Sequence, residues 1–119
     1  EKDSIALISA GITLFEALKA SDELKEKNVF IKVIDLYSIK PINVENLKKA
    51  IGGVKVIITI EDHYPEGGIG EAIKSAIGNS GIPIYSLAVS KIPRSGKPEE
   101  LLEFEEISKT AIINKCLTI

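Results

Sequence analysis

Four short apolar runs alternate with segments of helical character along the chain. They are Ile5–Ile8, Val29–Ile34, Val54–Ile60 and Ile84–Val89. Each run is rich in β-branched residues and is bounded by turn-forming residues, which predicts a β-strand. Because polar residues rarely interrupt them, the runs are typical of parallel strands covered on both faces. The pattern therefore predicts a three-layer α/β/α domain with a mainly parallel sheet.

The first predicted helix has a marked start. Thr13 and Glu16 have the spacing of a capping box, in which each side chain accepts a hydrogen bond from a backbone N–H near the first turn. The residues predicted to form the 3.6-period stripe of this helix are Leu14, Leu18 and either Ser21 or Leu24. The sequence therefore predicts a helix capped by Thr13 and Glu16, with leucines on its apolar face.

Four further helices are predicted after the second strand. Asn43 can cap a helix over residues 44–51, and Gly52-Gly53 can end it. Pro98 suits the first turn of a later helix, because that position needs no backbone donor. Ser108 is the predicted cap of the last helix. The apolar face predicted for the third helix consists of Ile69, Ala72, Ile73, Ala76 and Ile77. That of the last helix consists of Ile112, Ile113 and Cys116.

Two residues indicate the strand order. Pro83 precedes the fourth strand and cannot donate to a neighbouring strand, while Lys32 interrupts the second strand; both are typical of sheet edges. The first and third strands are then central, which gives the order 2-1-3-4 with right-handed crossovers. The topological switch lies between strands one and three, where ligands commonly bind in such sheets. We expect this crevice to be lined by Ser9–Thr13 and Glu61–His63.

Length and composition fit one ordinary globular domain over residues 1–119. The net charge is −2, and 27% of the residues are charged, so no basic patch indicates nucleic-acid binding. No apolar run is long enough to span a membrane. Cys116 is the single cysteine and is predicted to be a buried, inert thiol, which favours a reducing, cytoplasmic setting. Because the chain begins with Glu1 and contains no methionine, we expect it to be a fragment of a longer protein.

The connection after the third strand is rich in glycine. Gly68-Ile69-Gly70 follows a strand and opens a helix, so a phosphate or dinucleotide cradle is one interpretation. However, Ile73 occupies the third glycine position of that fingerprint, and Glu66 and Glu71 would repel phosphate. A tight turn with close contact between helix and strand is therefore the favoured interpretation.

The only histidine, His63, follows two acidic residues. One interpretation is a general acid or base oriented by Asp62 or Glu61. No motif attaches a nucleophile to this cluster, and a metal site would need further imidazole or thiolate ligands. The favoured interpretation is a loop histidine that hydrogen-bonds to the backbone or to another domain.

Arg94 and Lys97 lie in a loop after the fourth strand, at the same edge as Glu61, Asp62 and Glu66. They are candidates either for anchoring a sugar phosphate or for ion pairs with these acids or a partner domain. The ion pairs are favoured because the carboxylates are already available. The candidate interface or loop residues are Gly11, Glu61, Asp62, His63, Gly67, Gly68, Gly70, Arg94 and Lys97.

Several motifs occur together in one order. They are Ser9–Leu14 with Glu16-Ala17-Leu18, Ile39-Lys40-Pro41, Glu61–Tyr64, Gly67–Ala72, Leu87–Val89, and Pro93–Pro98 with Glu100-Leu101-Leu102. This series closely resembles the C-terminal domain of transketolase, which transfers two-carbon ketol units between sugar phosphates in the pentose phosphate pathway. The resemblance covers nearly the whole chain.

The resemblance implies what the full enzyme contains. Thiamine diphosphate and a divalent metal, Mg or Ca, would be bound by upstream domains or an upstream subunit, and the C-terminal domain would help a homodimer assemble. No catalytic, cofactor-binding or metal-binding residue is therefore expected in this chain. Two alternatives stay open. One is the equivalent domain of 1-deoxyxylulose-5-phosphate synthase or of a 2-oxo acid dehydrogenase β-subunit; the other is a free-standing nucleotide-binding module.

Overall fold

The computed structural model describes residues 4–39, 42–61, 68–88 and 107–119. The strands are β1 (Ile5–Ser9), β2 (Ile31–Asp35), β3 (Val56–Ile60) and β4 (Ile84–Leu87). The helices are α1 (Ile12–Lys25), α2 (Val44–Ile51), α3 (Ile69–Ile77) and α4 (Lys109–Thr118), with 3-10 turns at Leu36–Ser38 and Gly78–Ser80. The helix predicted near Pro98 lies outside the described residues.

In the described part of the chain the sheet has the order β2-β1-β3-β4, and its three strand pairs are parallel. The predicted order and fold class are therefore confirmed. In the register, Ser9 pairs with Asp35 on one side and with Ile60 on the other. On the edge strand β2, the Lys32 ammonium donates to the Ala50 carbonyl at 3.2 Å, near the end of α2. Lys32 thus joins the sheet edge to the neighbouring helix.

Alternate residues of β1 face two separate apolar cores. Ile5 and Leu7 pack with α1 and α4, whereas Ala6 and Ile8 pack with α2 and α3. Full burial of a leucine or isoleucine side chain contributes about 1.5–3 kcal/mol, so these cores hold the helices on both faces. Cys116 lies in the first core, where burial raises the pKa of its thiol to about 11.

The capping box predicted for α1 is wrong. Gly11 is the N-cap, with a φ of 67° and no side-chain cap hydrogen bond. The Thr13 hydroxyl instead donates to the carbonyls of Ala10, at 2.8 Å, and Ile60, at 3.1 Å. These bonds tie the first turn of α1 to the ends of β1 and β3.

The leucine stripe predicted for α1 is confirmed at Leu24 and wrong at Leu18, because the helix is rotated about its axis relative to that stripe. The small residues Ala17 and Ala20 face the sheet together with Leu24, whereas Leu18 is 45% exposed. Alanines allow the helix to approach the strands closely, and Thr13 holds this rotation through its bonds to the strand ends. The buried residues of α1 are Thr13, Glu16, Ala17, Ala20 and Leu24.

The caps predicted for α2 and α4 are confirmed. Asn43 accepts a hydrogen bond from the Asn46 N–H at 2.8 Å, and Ser108 accepts one from the Ala111 N–H at 3.3 Å. By contrast, β2 begins two residues later than predicted, at Ile31. The reason is that the Val29 N–H donates to the Leu24 carbonyl at 2.9 Å, which closes the end of α1 instead of pairing with β1.

Candidate functional site at the carboxyl edge of the sheet

Glu61 follows β3 at the topological switch and is buried. Its two carboxylate oxygens accept hydrogen bonds from the first backbone donors of α3, from Ile69 N–H at 2.6 Å and from Gly70 N–H at 2.9 Å. The N-cap residue of α3, Gly68, has no side chain that could do this. The start of a helix favours negative charge, so Glu61 acts as a remote cap of α3.

This arrangement weakens the case for a phosphate cradle at α3. The N–H groups that would bind a phosphate already donate to Glu61, and its carboxylate would repel an anionic ligand. Because both carboxylate oxygens of Glu61 already accept hydrogen bonds from α3, Glu61 is poorly suited to orient a histidine. The sequence holds one signal for this cap: a helix that begins after Gly68 needs an acceptor from elsewhere in the chain.

Gly70 lies where α3 crosses closely over β3 and β4. A Cβ atom added at this position would lie 2.4 Å from the Ser86 hydroxyl oxygen and 3.1 Å from that of Thr59. The Thr59 hydroxyl in turn donates to that of Ser86 at 3.0 Å. The glycine therefore serves a close contact between helix and strands, as favoured from the sequence.

The other side of the crevice is formed by the end of β1 and the start of α1. The backbone of Gly11 has a positive φ, and a Cβ added there would meet no atom within 4 Å. The Ser9 hydroxyl is buried and has no hydrogen-bond partner among the described residues. Because α1 and α3 belong to opposite faces of the sheet, the crevice lies at the switch point expected from the sequence.

Glu16 connects α1 to α4. Together with Ser108, it caps the start of α4. It accepts a hydrogen bond from the Lys109 N–H at 2.7 Å and pairs with the Lys19 ammonium at 2.7 Å. Burial, the largest single influence, raises the pKa of Glu16, but the hydrogen bonds and charges of Lys19 and Lys109 together outweigh it. The pKa therefore lies below the ordinary glutamate value. Sequence patterns did not reveal this link, because its partners are far apart in the chain.

The lowered pKa of Glu16 predicts a pH-dependent contribution to stability. A depressed carboxyl pKa stabilises the fold fully above the unfolded-state pKa of about 4.3, and this stabilisation is lost as pH falls through the folded-state pKa. We expect Glu16→Gln to be less stable than the parent at neutral pH, with the difference shrinking in acid. Urea unfolding across pH measures this, and Glu26→Gln is the control, because Glu26 is an exposed acid at the end of α1. A difference that is the same at every pH would contradict the prediction.

Four candidate residues fall within the described part of the chain. Gly11, Glu61, Gly68 and Gly70 lie together at the carboxyl edge, around the ends of β1 and β3. The candidates outside the described residues are Asp62, His63, Gly67, Arg94 and Lys97. Within the described residues, no group of three or more His, Cys, Asp or Glu side chains could hold a metal ion. No described helix is both long and apolar enough to cross a membrane.

Residues 1–112 match the family of transketolase C-terminal domains. The chain belongs to this family. Transketolase-like protein 1 of Macaca fascicularis is 50% identical over 123 residues, which covers 98% of this chain and 20% of that protein. Transketolase of Homo sapiens is 46% identical over 112 residues, covering 92% of this chain and 18% of that protein. This transketolase C-terminal domain thus spans about a fifth of the curated relatives' length.

Solved transketolase structures share the fold. A split-gene transketolase, described as an inactive β4 tetramer, has a TM-score of 0.86 at 24% identity, covering 99% of this chain and 39% of that chain. Transketolase from Campylobacter jejuni has a TM-score of 0.71 at 14% identity, covering 100% of this chain and 17% of that chain. At these identities the comparison supports the architecture alone. The membership in the family argues against the free-standing nucleotide-binding module.

Proposed function

We propose that this domain belongs to an active transketolase that transfers two-carbon ketol units between sugar phosphates. The observation that carries the proposal is the family match over residues 1–112, with 46–50% identity to curated transketolases and transketolase-like proteins. Thiamine diphosphate and Mg or Ca would be bound elsewhere in the full enzyme. We place this enzyme in the pentose phosphate pathway and in the cytoplasm.

The described residues do not fit a thiamine diphosphate site. The α3 donors that would receive a diphosphate are held by Glu61, whose charge opposes a second anion. Binding of a divalent metal favours several oxygen ligands, and the described residues bring together no such acidic group. We therefore propose that the isolated domain supplies no step of ketol transfer.

Two measurements test whether the full-length enzyme transfers ketol units while the isolated domain does not. The full-length protein, or its recombined subunits if the gene is split, should transfer a ketol unit from a ketose phosphate to an aldose phosphate only with thiamine diphosphate and the metal. The 119-residue chain alone should show neither transfer nor cofactor binding. Calorimetry that detects micromolar thiamine diphosphate binding to the chain would contradict the second part, and an inactive full-length protein would contradict the first.

The proposed role of the domain is to support assembly of a homodimer. The crevice combines glycines with polar residues, which suits close approach of another protein surface. These residues are Gly11, Glu61 and Gly68, with Asp62 and His63 next to Glu61 in the sequence. The split-gene neighbour, described as a tetramer of β chains that is inactive, is a precedent for assembly separated from catalysis.

His63→Ala in the full-length protein tests this contact. If His63 hydrogen-bonds across the interface, the variant should form a weaker dimer, and its activity should recover at high protein concentration. Analytical ultracentrifugation and turnover at several concentrations measure both properties. Turnover that is lost in a dimer of unchanged stability would assign His63 a catalytic role instead.

A further inference from the structure

Four lysines lie at the amino edge of the sheet, where α2 ends and β3 begins. We call them the basic edge; its members are Lys32, Lys48, Lys49 and Lys55. Three of them are exposed, and Lys32 is half-buried. None of the four forms an ion pair with a described residue, because the described salt bridges involve other lysines. The basic edge therefore presents unneutralised positive charge.

Printed contacts of the backbone bring Lys32 against the end of α2. Its ammonium donates to the Ala50 carbonyl at 3.2 Å and lies 3.2 Å from where a Cβ of Gly52 would be. The Gly52 N–H in turn donates to the Lys48 carbonyl at 3.0 Å. Lys32 thus contacts the last turn of α2, which carries two other members of the basic edge.

Lys55 belongs to the same surface through the short connection from α2 to β3. It follows Gly52 by three residues, so the two Cα atoms lie within about 11 Å of each other. Its backbone N–H donates to the Ser4 carbonyl at 2.9 Å, which fixes it beside the start of β1. The four lysines therefore surround one connection of the chain.

Few acidic residues lie near these lysines in the described part of the chain. Residues 46–60 contain three members of the basic edge and no acid. Glu45 is one turn away on α2, but no salt bridge joins it to a lysine of that helix. The acids near the end of α1, Asp22, Glu23 and Glu26, belong to the opposite face of the sheet. The basic edge thus keeps a local excess of positive charge.

The helix dipole explains only part of this charge. Cations are favoured at the carboxyl end of a helix, and Lys32 already donates to a carbonyl there. Lys55 lies beyond the helix, so the dipole does not account for it. Charges at such separations are comparable with the Debye length of about 8 Å at physiological ionic strength. Their potentials therefore add and attract an anionic partner.

The form of the surface favours a short acidic segment of protein. Gly52 and Gly53 are exposed and have no side chains, so an extended chain can approach the backbone between the lysines. Lysine ammonium groups are flexible point charges, which suit carboxylates without requiring a fixed geometry. A long nucleic acid would also meet the rest of the domain, whose net charge of −2 opposes a polyanion.

We propose that the basic edge is a docking surface for a short acidic segment of another protein. The proposal goes beyond ketol transfer and does not depend on it. The basic edge lies at the opposite ends of the strands from the crevice at the carboxyl edge, so a docked segment leaves that crevice accessible.

Fluorescence polarisation of a labelled octaglutamate peptide with the full-length protein tests the proposal. Octaglutamine is the neutral control peptide. Lys48→Gln with Lys55→Gln removes two charges from the basic edge, and Lys25→Gln with Lys27→Gln removes two exposed charges at the end of α1. We expect the first double variant to weaken peptide binding at least about fivefold, and the second by less than about twofold. Binding should also fall steeply as salt is raised.

Three results would overturn the proposal. One is a wild-type protein that binds octaglutamate no better than octaglutamine at low salt. Another is equal weakening by the two double variants, which would show attraction to overall charge alone. The third is tighter binding of an oligothymidylate of the same charge, lost in the Lys48/Lys55 variant, which would assign the surface to nucleic acid. Circular dichroism checks folding, and Lys55→Gln against Lys27→Gln replaces any double variant that does not fold.

Discussion

Replacing Glu61 with alanine is expected to lower the free energy of unfolding by about 2–4 kcal/mol, since a hydrogen bond to a charged group contributes about 1.5–3 kcal/mol and a helix cap about 0.5–2 kcal/mol. The variant removes both acceptors of the Ile69 and Gly70 N–H groups. The hydrogen bond of Ile69 is partly buried and that of Gly70 is buried, so water is a poor substitute for the lost acceptor. Urea denaturation followed by circular dichroism measures the change.

Two further variants sharpen the test of Glu61. Glu61→Gln keeps one acceptor oxygen and removes the charge, so its loss of stability should be smaller than that of the alanine variant. Glu45→Ala is the matched control, because Glu45 is an exposed acid in the first turn of α2 and should contribute only about 0.3–1 kcal/mol through the helix dipole. An alanine variant of Glu61 as stable as that of Glu45 would show that the remote cap is unimportant.

Gly70→Ala is expected to destabilise the domain by about 1–3 kcal/mol through overpacking. The new methyl group would lie 2.4 Å from the Ser86 hydroxyl oxygen, so α3 must move away from the sheet or Ser86 must change rotamer. The second response breaks the hydrogen bond from Thr59 to Ser86. Thermal and urea unfolding of the variant chain measure the loss.

A second glycine at the other end of α3 provides the control for Gly70. Gly78 has a φ of −60°, and an added Cβ there would meet no atom within 4 Å. Gly78→Ala should therefore be neutral or stabilise the domain by about 0.4–1 kcal/mol through the unfolded state. Adding Ser86→Ala to the Gly70→Ala variant should recover part of the lost stability. If the two glycine variants behave alike, close packing does not explain Gly70.

Among the described helices, two receive at their start a carboxylate from elsewhere in the same chain. Glu61 serves α3 and Glu16 serves α4. Each carboxylate occupies donors that could otherwise bind an anionic ligand. This use of acidic residues agrees with a domain whose edge contributes to packing.

The sequence by itself determined the features that depend on neighbouring residues. Short β-branched runs predicted the strands, and Lys32 and Pro83 predicted the two edges, because a charged side chain and a missing donor are unfavourable in a central strand. Asn43 and Ser108 predicted helix caps correctly, since each accepts from a donor three residues further along the chain. The close contact at Gly70 was also anticipated from the glycine-rich turn.

The tertiary structure alone decided the features that join distant parts of the chain. Glu61 caps α3 from eight and nine residues away, and Glu16 reaches the Lys109 N–H across 93 positions. The rotation of α1 depends on the bond from Thr13 to the Ile60 carbonyl, 47 residues away, and on the close packing of alanines against the sheet. No local pattern specifies these contacts, because an acceptor is chosen by the distance and direction that the assembled layers impose, and sequence spacing contains neither.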